Sequence, residues 1–149
     1  MQREEKRKSR TLRRERIHHF DATEKEAEDY AMTDVTVKTF DELDDYAGQF
    51  LYAGKGLGVT AWGMNVERLP AGWDEFPHHD HAENGQEEVY VVIDGDATLH
   101  ADGETWHLER GTLARVGPEQ KRKIVPGEKG VTLLALGGTP GKAYEPRKS

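Results

Sequence analysis

Three residues near the middle of the chain, His79, His81 and Glu88, are of the types that bind transition-metal ions. Residues two apart on an extended chain point to the same side, so the imidazoles of His79 and His81 can reach one ion. Glu88 begins the next predicted strand and can bring a carboxylate to the same point. Two imidazoles and a carboxylate suit divalent Fe, Mn, Ni, Zn or Cu. The spacing therefore predicts a site for a divalent transition metal.

The sequence also has a less specific interpretation of the histidine pair, and it offers little support for nucleophilic catalysis or phosphate binding. A chain with seven histidines can contain a close pair by chance, and the segment would then be an exposed polar loop. There is no cysteine, and serine occurs only at Ser9 and Ser149, so a serine or thiol nucleophile is not indicated. No helical pattern follows the glycine run at Gly54–Gly58, so we predict a flexible connection there and not a phosphate-binding loop.

Short strands separated by turn residues extend over residues 57–140. The predicted strands cover residues 57–69, 88–93, 97–101, 104–108, 112–116, 122–125 and 131–136. Turns are predicted at Asp94-Gly95-Asp96, at Asp102-Gly103 and at Pro126-Gly127. This spacing predicts an all-β sandwich or barrel. One helical turn is predicted before it, at residues 41–46.

Size and charge limit the functional classes. A chain of 149 residues is long enough for one domain with a core but not for two large ones. Its net charge of −7 argues against general nucleic-acid binding, which needs a basic surface. No apolar run approaches the ~20 residues that span a bilayer, and no secretory signal is evident. We therefore expect a cytoplasmic protein that binds neither nucleic acid nor membranes.

The first 31 residues differ in composition from the rest. They contain nine Lys or Arg and eight Asp or Glu residues and few large apolar ones. We predict a disordered charged tail at residues 1–31. Alternatives are a basic arm that contacts nucleic acid or an acidic partner, or a natural start at Met32. Residues 32–149 are predicted to form a single domain with its barrel core at residues 57–140. The tail is too short and polar to indicate a helix-turn-helix regulator.

The order of the central motifs resembles the cupin superfamily. Gly72, the pair His79-x-His81, and Glu88 followed by Gly95 resemble the first motif of that superfamily. A second motif is similar to the stretch from Gly103 through Gly111 and Pro118 to Arg122.

The resemblance covers about residues 57–140. It implies a small double-stranded β-helix, or jelly-roll, barrel and a homodimer. It also implies that His79, His81 and Glu88 are the metal ligands. It does not specify a reaction, because the superfamily contains enzymes, storage proteins and sensor domains.

Two departures from the family pattern affect the predicted site. Six residues separate His81 from Glu88, where the family has three or four, so we expect a surface loop at residues 82–85. Glu87 is a rival ligand, but Glu88 has the family spacing to Gly95. The fourth ligand of the family is a histidine, and Arg122 stands in its place. A guanidinium cannot bind a metal ion.

Arg122 leaves three hypotheses open. It can hold a carboxylate or phosphate of a ligand beside the metal, with Tyr90 as a second ligand-binding residue. It can instead pair with Glu88 in a metal-free polar pocket, or it can point outward. The first hypothesis predicts a metal-dependent enzyme or binding protein for a small anionic molecule. The second predicts a non-catalytic binding protein.

Three further groups of residues have less specific interpretations. Trp62, Met64 and Val66 share one face of the first predicted strand and are expected to fill the core or, less commonly, to line the pocket. His107 is expected to face outward. Basic residues near the second motif form either a solvated strand end or an anion-binding mouth; they are Arg115, Lys121, Arg122 and Lys123.

Overall fold

Short β-strands and very little helix make up the part of the chain that the structure, a computed structural model, describes, namely residues 33–146. The tail predicted at residues 1–31 lies outside the described residues. In chain order the elements are a 3-10 helix (Phe40–Glu42), β1 (Asp45–Tyr46), β2 (Phe50–Leu51), α1 (Ala53–Leu57), β3 (Gly63–Leu69), β4 (Glu87–Ala101), β5 (Glu104–Glu109), β6 (Leu113–Val116) and β7 (Arg122–Gly138).

The seven described strands form one antiparallel sheet with the order β1-β2-β3-β7-β4-β5, and β6 pairs with the first part of β4. Burial alternates along the strands. On β4, for example, Tyr90 and Val92 are buried on one face, while Val89, Val91 and Ile93 on the other face are less buried. The predicted all-β class is therefore confirmed.

The sheet curves around a single main core. Buried side chains from β3 to β7 pack together there, including Leu69, Val92, Leu108, Val116 and Ile124. Contact among residues from five strands is possible only if the sheet wraps around them, as in the predicted double-stranded β-helix barrel. A second, smaller cluster of Leu51, Ala53 and Val66 lies on the other face of β3.

One predicted hairpin is wrong. The chain does not turn back at Asp94-Gly95-Asp96, because β4 continues from Glu87 to Ala101 with irregularities in its register at this point. Gly95 has φ +72°, and a Cβ atom there would overlap the carbonyl oxygen of Gly130. The Asp-Gly pair therefore marks a bend with a close backbone approach, not a hairpin.

The predicted break at Pro126-Gly127 is wrong for a similar reason. Residues 122–138 form the continuous strand β7, and Pro126 lies opposite Ala97 at the bend. A Cβ atom on Gly127 would overlap the carboxylate of Asp96. The Asp102-Gly103 turn, in contrast, is confirmed. Both of its residues have positive φ, and it joins β4 to β5.

The first predicted strand is shorter than expected. It begins at Gly63, and the glycine run before it contains the five-residue helix α1. Trp62 is 48% exposed, which contradicts its predicted place in the core or pocket. Met64 and Val66 pack in the second cluster, outside the main core.

The predicted helical turn at residues 41–46 is also only partly present. A 3-10 helix covers Phe40–Glu42, and β1 begins at Asp45. The side chains of Thr39 and Glu42 form a capping box around this short helix.

Substitution of Gly95 tests the close approach at the bend of β4. Gly95→Ala should lower the free energy of unfolding by at least about 3 kcal/mol, because it adds a steric overlap to the cost of positive φ. Gly103→Ala is the matched control, since Gly103 also has positive φ but no atom within 4 Å of its added Cβ. We expect it to cost about 1–2 kcal/mol, the cost of a left-handed backbone for a residue with a Cβ atom. Equal losses in urea denaturation would contradict the close approach.

Candidate metal centre

The histidine pair lies on an extended segment between β3 and β4 that is tied to β7 by backbone hydrogen bonds. The His79 N–H donates to the Arg122 carbonyl (3.1 Å), and the Arg122 N–H donates to the His79 carbonyl (2.8 Å). The His81 N–H donates to the carbonyl of Pro118 (2.9 Å). Because the segment is extended, His79 and His81 point inward, while His78 and Asp80 are exposed.

These two histidines converge with Glu88, the second residue of β4. One potential ligand atom from each of His79, His81 and Glu88 lies within 4.8 Å of the others. His81 Nε2 is 3.2 Å from Glu88 Oε1, and His79 Nε2 is 3.8 Å from Glu88 Oε2. The structure therefore brings together the three residues that the sequence predicts as metal ligands.

The tautomer of His79 follows from its contact with the backbone. His79 Nδ1 is 2.8 Å from the Pro77 carbonyl oxygen. A carbonyl can only accept, so Nδ1 carries a proton, and Nε2 is the ring nitrogen that is left to bind a metal ion. Backbone contacts of this kind orient histidine ligands in metal sites.

His81 is buried, and its Nε2 atom lies near Glu88 Oε1 (3.2 Å) in a geometry that does not make a hydrogen bond. Burial lowers the pKa of His81 below its usual value, although the charge of Glu88 opposes this effect. A neutral imidazole with an unpaired, buried nitrogen is costly unless something binds it. A metal ion at this position would satisfy that nitrogen.

Glu88 is ionised and held through one oxygen atom. The Tyr90 hydroxyl and Arg122 Nη2 both donate to Glu88 Oε2, each at 2.7 Å. Burial alone would raise the pKa of Glu88, but the contacts with His79, Tyr90 and Arg122 outweigh it and lower the pKa to about 2. Oε1 therefore remains directed toward His81 as a charged potential ligand atom.

Arg122 does not point outward, so the third hypothesis for this residue is wrong. Its side chain is fully buried, and its Nη1 donates to the Gln120 carbonyl (2.9 Å). Arg122 lies on the same face of β7 as the buried Ile124, which fixes its direction. The predicted contact with Glu88 is present. Arg122 is therefore not part of an exposed basic patch.

Glu87 and His107 lie away from this cluster. Glu87 is on the opposite face of β4 and accepts a hydrogen bond from Arg115 Nε (2.8 Å). His107 is exposed, as expected. The loop expected after His81 is present as a largely exposed turn at residues 82–85. Glu88, rather than Glu87, therefore faces the histidines.

Sequence analysis missed one residue of the barrel interior, Glu67 on β3. It is 6% exposed, and its Oε2 atom has no hydrogen-bond partner. Burial, and then the charge of Glu88, raises the pKa of Glu67 to about 8. Its alternation with the buried Leu69 is a signal in the sequence, but the prediction placed the other face of this strand inward.

The donor set fits a divalent transition metal. It offers two imidazole nitrogens and one carboxylate oxygen, which is the ligand chemistry that such ions prefer. The unpaired buried nitrogen of His81 supports the same fit. Among the described residues, the side chain that stands where a fourth ligand is expected is the guanidinium of Arg122, which binds Glu88 instead.

Comparison with known proteins agrees with the fold. Residues 65–136 match the family model described as a cupin domain. No curated protein matches the chain. Among residues 33–146, no helix has both the length and the apolar character needed to cross a membrane.

Several solved structures have a similar fold. A cupin protein from Bacteroides fragilis is 23% identical and matches over 74% of this chain and 93% of its own, with a TM-score of 0.56. A sugar phosphate isomerase from a cupin superfamily, from Silicibacter pomeroyi, is 23% identical over 70% of this chain and 77% of its own, with a TM-score of 0.59. A protein with a double-stranded β-helix domain from Klebsiella pneumoniae is 20% identical over 72% and 92%, with a TM-score of 0.55.

The raised pKa of Glu67 predicts a dependence of stability on pH. Between pH 4.5 and about 8 the folded protein keeps a proton on Glu67 that the unfolded chain releases. The stabilisation is complete below pH 4.5 and is lost as the pH rises toward 8. The loss is about 5 kcal/mol, at about 1.4 kcal/mol for each pKa unit.

Glu67→Gln, which resembles the protonated side chain, should not show this loss. Urea denaturation of both proteins from about pH 5 to 9, with a chelator present, measures the difference. The contribution of His81 is common to both proteins and cancels. Parallel stability profiles for the two proteins would contradict the assignment.

Proposed function

We propose that this protein, in which residues 65–136 match the cupin-domain family model, binds a divalent transition-metal ion through His79, His81 and Glu88. A small anionic molecule is the proposed ligand of the positions on the ion that the protein leaves open. The observation that carries the proposal is the convergence of one potential ligand atom from each of the three residues within 4.8 Å, with Glu88 ionised and the pKa of His81 lowered by burial.

Electrostatics favour an anionic ligand. Glu88 carries one negative charge and Arg122 one positive charge, and they are paired at 2.7 Å. Because the charges of this pair cancel, a divalent ion would give the pocket a net positive charge. Uncompensated charge in a buried site is unfavourable, so a carboxylate or phosphate beside the ion would stabilise it.

Tyr90 and Arg122 are assigned a supporting role in this proposal. Both donate to Glu88 Oε2, and this contact holds Oε1 toward His81. The sequence predicted both residues as contacts of the ligand itself. Because Tyr90 is 1% exposed and Arg122 is fully buried, we propose that they orient the metal-binding carboxylate and that Arg122 adds positive charge near the anion.

A bound ion with open positions would supply Lewis-acid chemistry or activate a bound water molecule. The proposed reaction class is therefore metal-dependent conversion of a small anionic substrate, with Fe, Mn, Ni, Zn and Cu as candidate ions. The fold shared with the Silicibacter pomeroyi sugar phosphate isomerase makes sugar phosphates a reasonable first class of substrate to test.

A second candidate is a metal-free, non-catalytic binding protein. The observation that favours it is the ion pair between Arg122 and Glu88, which occupies one oxygen of the carboxylate without any metal. Under this proposal the polar pocket binds its ligand directly. The predicted homodimer and cytoplasmic location are compatible with either candidate and remain predictions.

Metal analysis separates the two candidates. Protein purified without a histidine tag, from cells supplied with Fe, Mn, Ni, Zn and Cu, should contain about one ion per chain. The double variant His79→Ala, His81→Ala should lose this ion and stay folded. We expect a larger drop in affinity than the about 10–100-fold that loss of an outer contact costs.

The matched control removes two other histidines, with His78→Ala and His107→Ala, both of which are exposed. This variant should keep the metal content of the parent protein. A parent protein with far less than one ion per chain would rule out the metal-binding proposal and favour the second candidate. Equal metal content in both double variants would show that the ligand assignment is wrong.

A further inference from the structure

Charge balance in the barrel interior points to a role for Glu67. The charges of Glu88 and Arg122 compensate each other, and His81 is neutral. Glu88 is the charged residue among the three ligands, and Arg122 already compensates its charge. The two positive charges of a divalent ion would therefore remain unbalanced. Glu67 is the other buried acidic residue that the structure describes in the interior.

Glu67 occupies a position suited to this role. It is on the same face of β3 as the core residue Leu69, and its partners across the sheet, Phe50 and Leu133, are apolar. Its Oε2 atom is buried without a hydrogen-bond partner. The titratable and charged groups that face the interior from the surrounding elements are Glu88, Tyr90, Arg122, His79 and His81.

An unpaired buried carboxyl group costs stability, and an apolar residue would fill this position more favourably. Its presence calls for a compensating interaction. Glu67 is buried on the inward face of β3, the charge of Glu88 acts on it, and its own charge acts on Tyr90, so the group is close enough to respond to an ion bound at Glu88.

We propose that Glu67 balances the charge of a divalent ion bound by His79, His81 and Glu88, so that binding of the ion and release of the Glu67 proton are coupled. This inference rests on the proposed metal site. In the balanced step the ion enters, the Glu67 O–H bond breaks, the electron pair stays on the carboxylate, and the proton leaves to solvent.

The direction of the coupling follows from the sign of the local charges. Without the ion, burial and the negative charge of Glu88 hold the proton on Glu67. A divalent ion reverses the sign of the charge near Glu88 and favours the carboxylate form of Glu67. Glu88 is already ionised, and His81 already neutral, near neutral pH. These two ligands therefore contribute little to any proton release.

Isothermal titration calorimetry with Co²⁺ measures this release. The parent protein is titrated between about pH 7 and 8 in two buffers with different ionisation enthalpies, because the difference in heat gives the number of protons released. At about pH 7 we expect the parent protein to release close to one proton more per Co²⁺ than Glu67→Gln, and this difference should fall to about half a proton near pH 8, the pKa of Glu67. The apparent affinity of the parent should rise by up to about tenfold per pH unit below the pKa of Glu67, while that of the variant stays nearly constant.

Glu87→Gln is the matched control, because it removes a carboxylate from the face of β4 that lies outside the barrel, where Glu87 accepts a hydrogen bond from Arg115. It should release the same number of protons as the parent. Proton release by a water molecule on the ion would be common to all three proteins, so only the difference between them reports on Glu67.

The possible outcomes are distinct. Less proton release in Glu67→Gln than in the two other proteins supports the coupling. Co²⁺ binding with equal proton release in all three would overturn the role of Glu67 and leave the metal site intact. Absence of Co²⁺ binding by the parent protein would overturn both proposals. The visible absorption of bound Co²⁺ confirms in each case that the ion occupies the same ligand set.

Discussion

The organisation of the barrel interior depends on one oxygen atom, Oε2 of Glu88, which accepts hydrogen bonds from both Tyr90 and Arg122. In a buried environment these charge-assisted bonds are strong enough to keep the carboxylate ionised. They also fix its orientation, so that Oε1 lies 3.2 Å from His81 Nε2. Removal of either donor would weaken both the charge and the direction of this carboxylate.

Arg122 changes the character of the centre relative to the family pattern. A histidine in its place would add a neutral nitrogen ligand, whereas the guanidinium adds a positive charge and binds the glutamate. The number of ligands from the protein falls to three, and the need for negative charge beside the ion rises. The buried Glu67 and an anionic ligand are two sources of that charge, and both follow from the same electrostatic requirement.

The long strands β4 and β7 connect this electrostatic centre with the fold. They pair along most of their length, and each bends where a glycine allows close contact, as Gly95 does against Gly130. The start of β7 carries Arg122 and also binds the backbone of His79. The same strand therefore positions the guanidinium inside the barrel and the metal-binding segment at its edge.

The predictions from turn residues had mixed success, and the reason is physical. Asp102-Gly103 forms the expected hairpin because its positive φ angles are met by a local turn with nothing packed against it. Asp94-Gly95 has the same residue types, but a neighbouring strand passes close to Gly95. The glycine therefore allows a bend within β4 and does not form a hairpin turn. A dipeptide defines which backbone angles are accessible, and only the neighbouring strand decides how they are used.

The sequence by itself supplied the candidate ligands. His79 and His81 alternate on an extended segment, and the resemblance to the cupin motif selected Glu88 over Glu87 by its spacing to Gly95. Tertiary structure alone decided that Arg122 points inward and that Glu67 is buried. Strand periodicity shows which residues share a face but not which face meets the core. The contact between Arg122 and Glu88 joins residues 34 positions apart, and only the pairing of β4 with β7 brings them together.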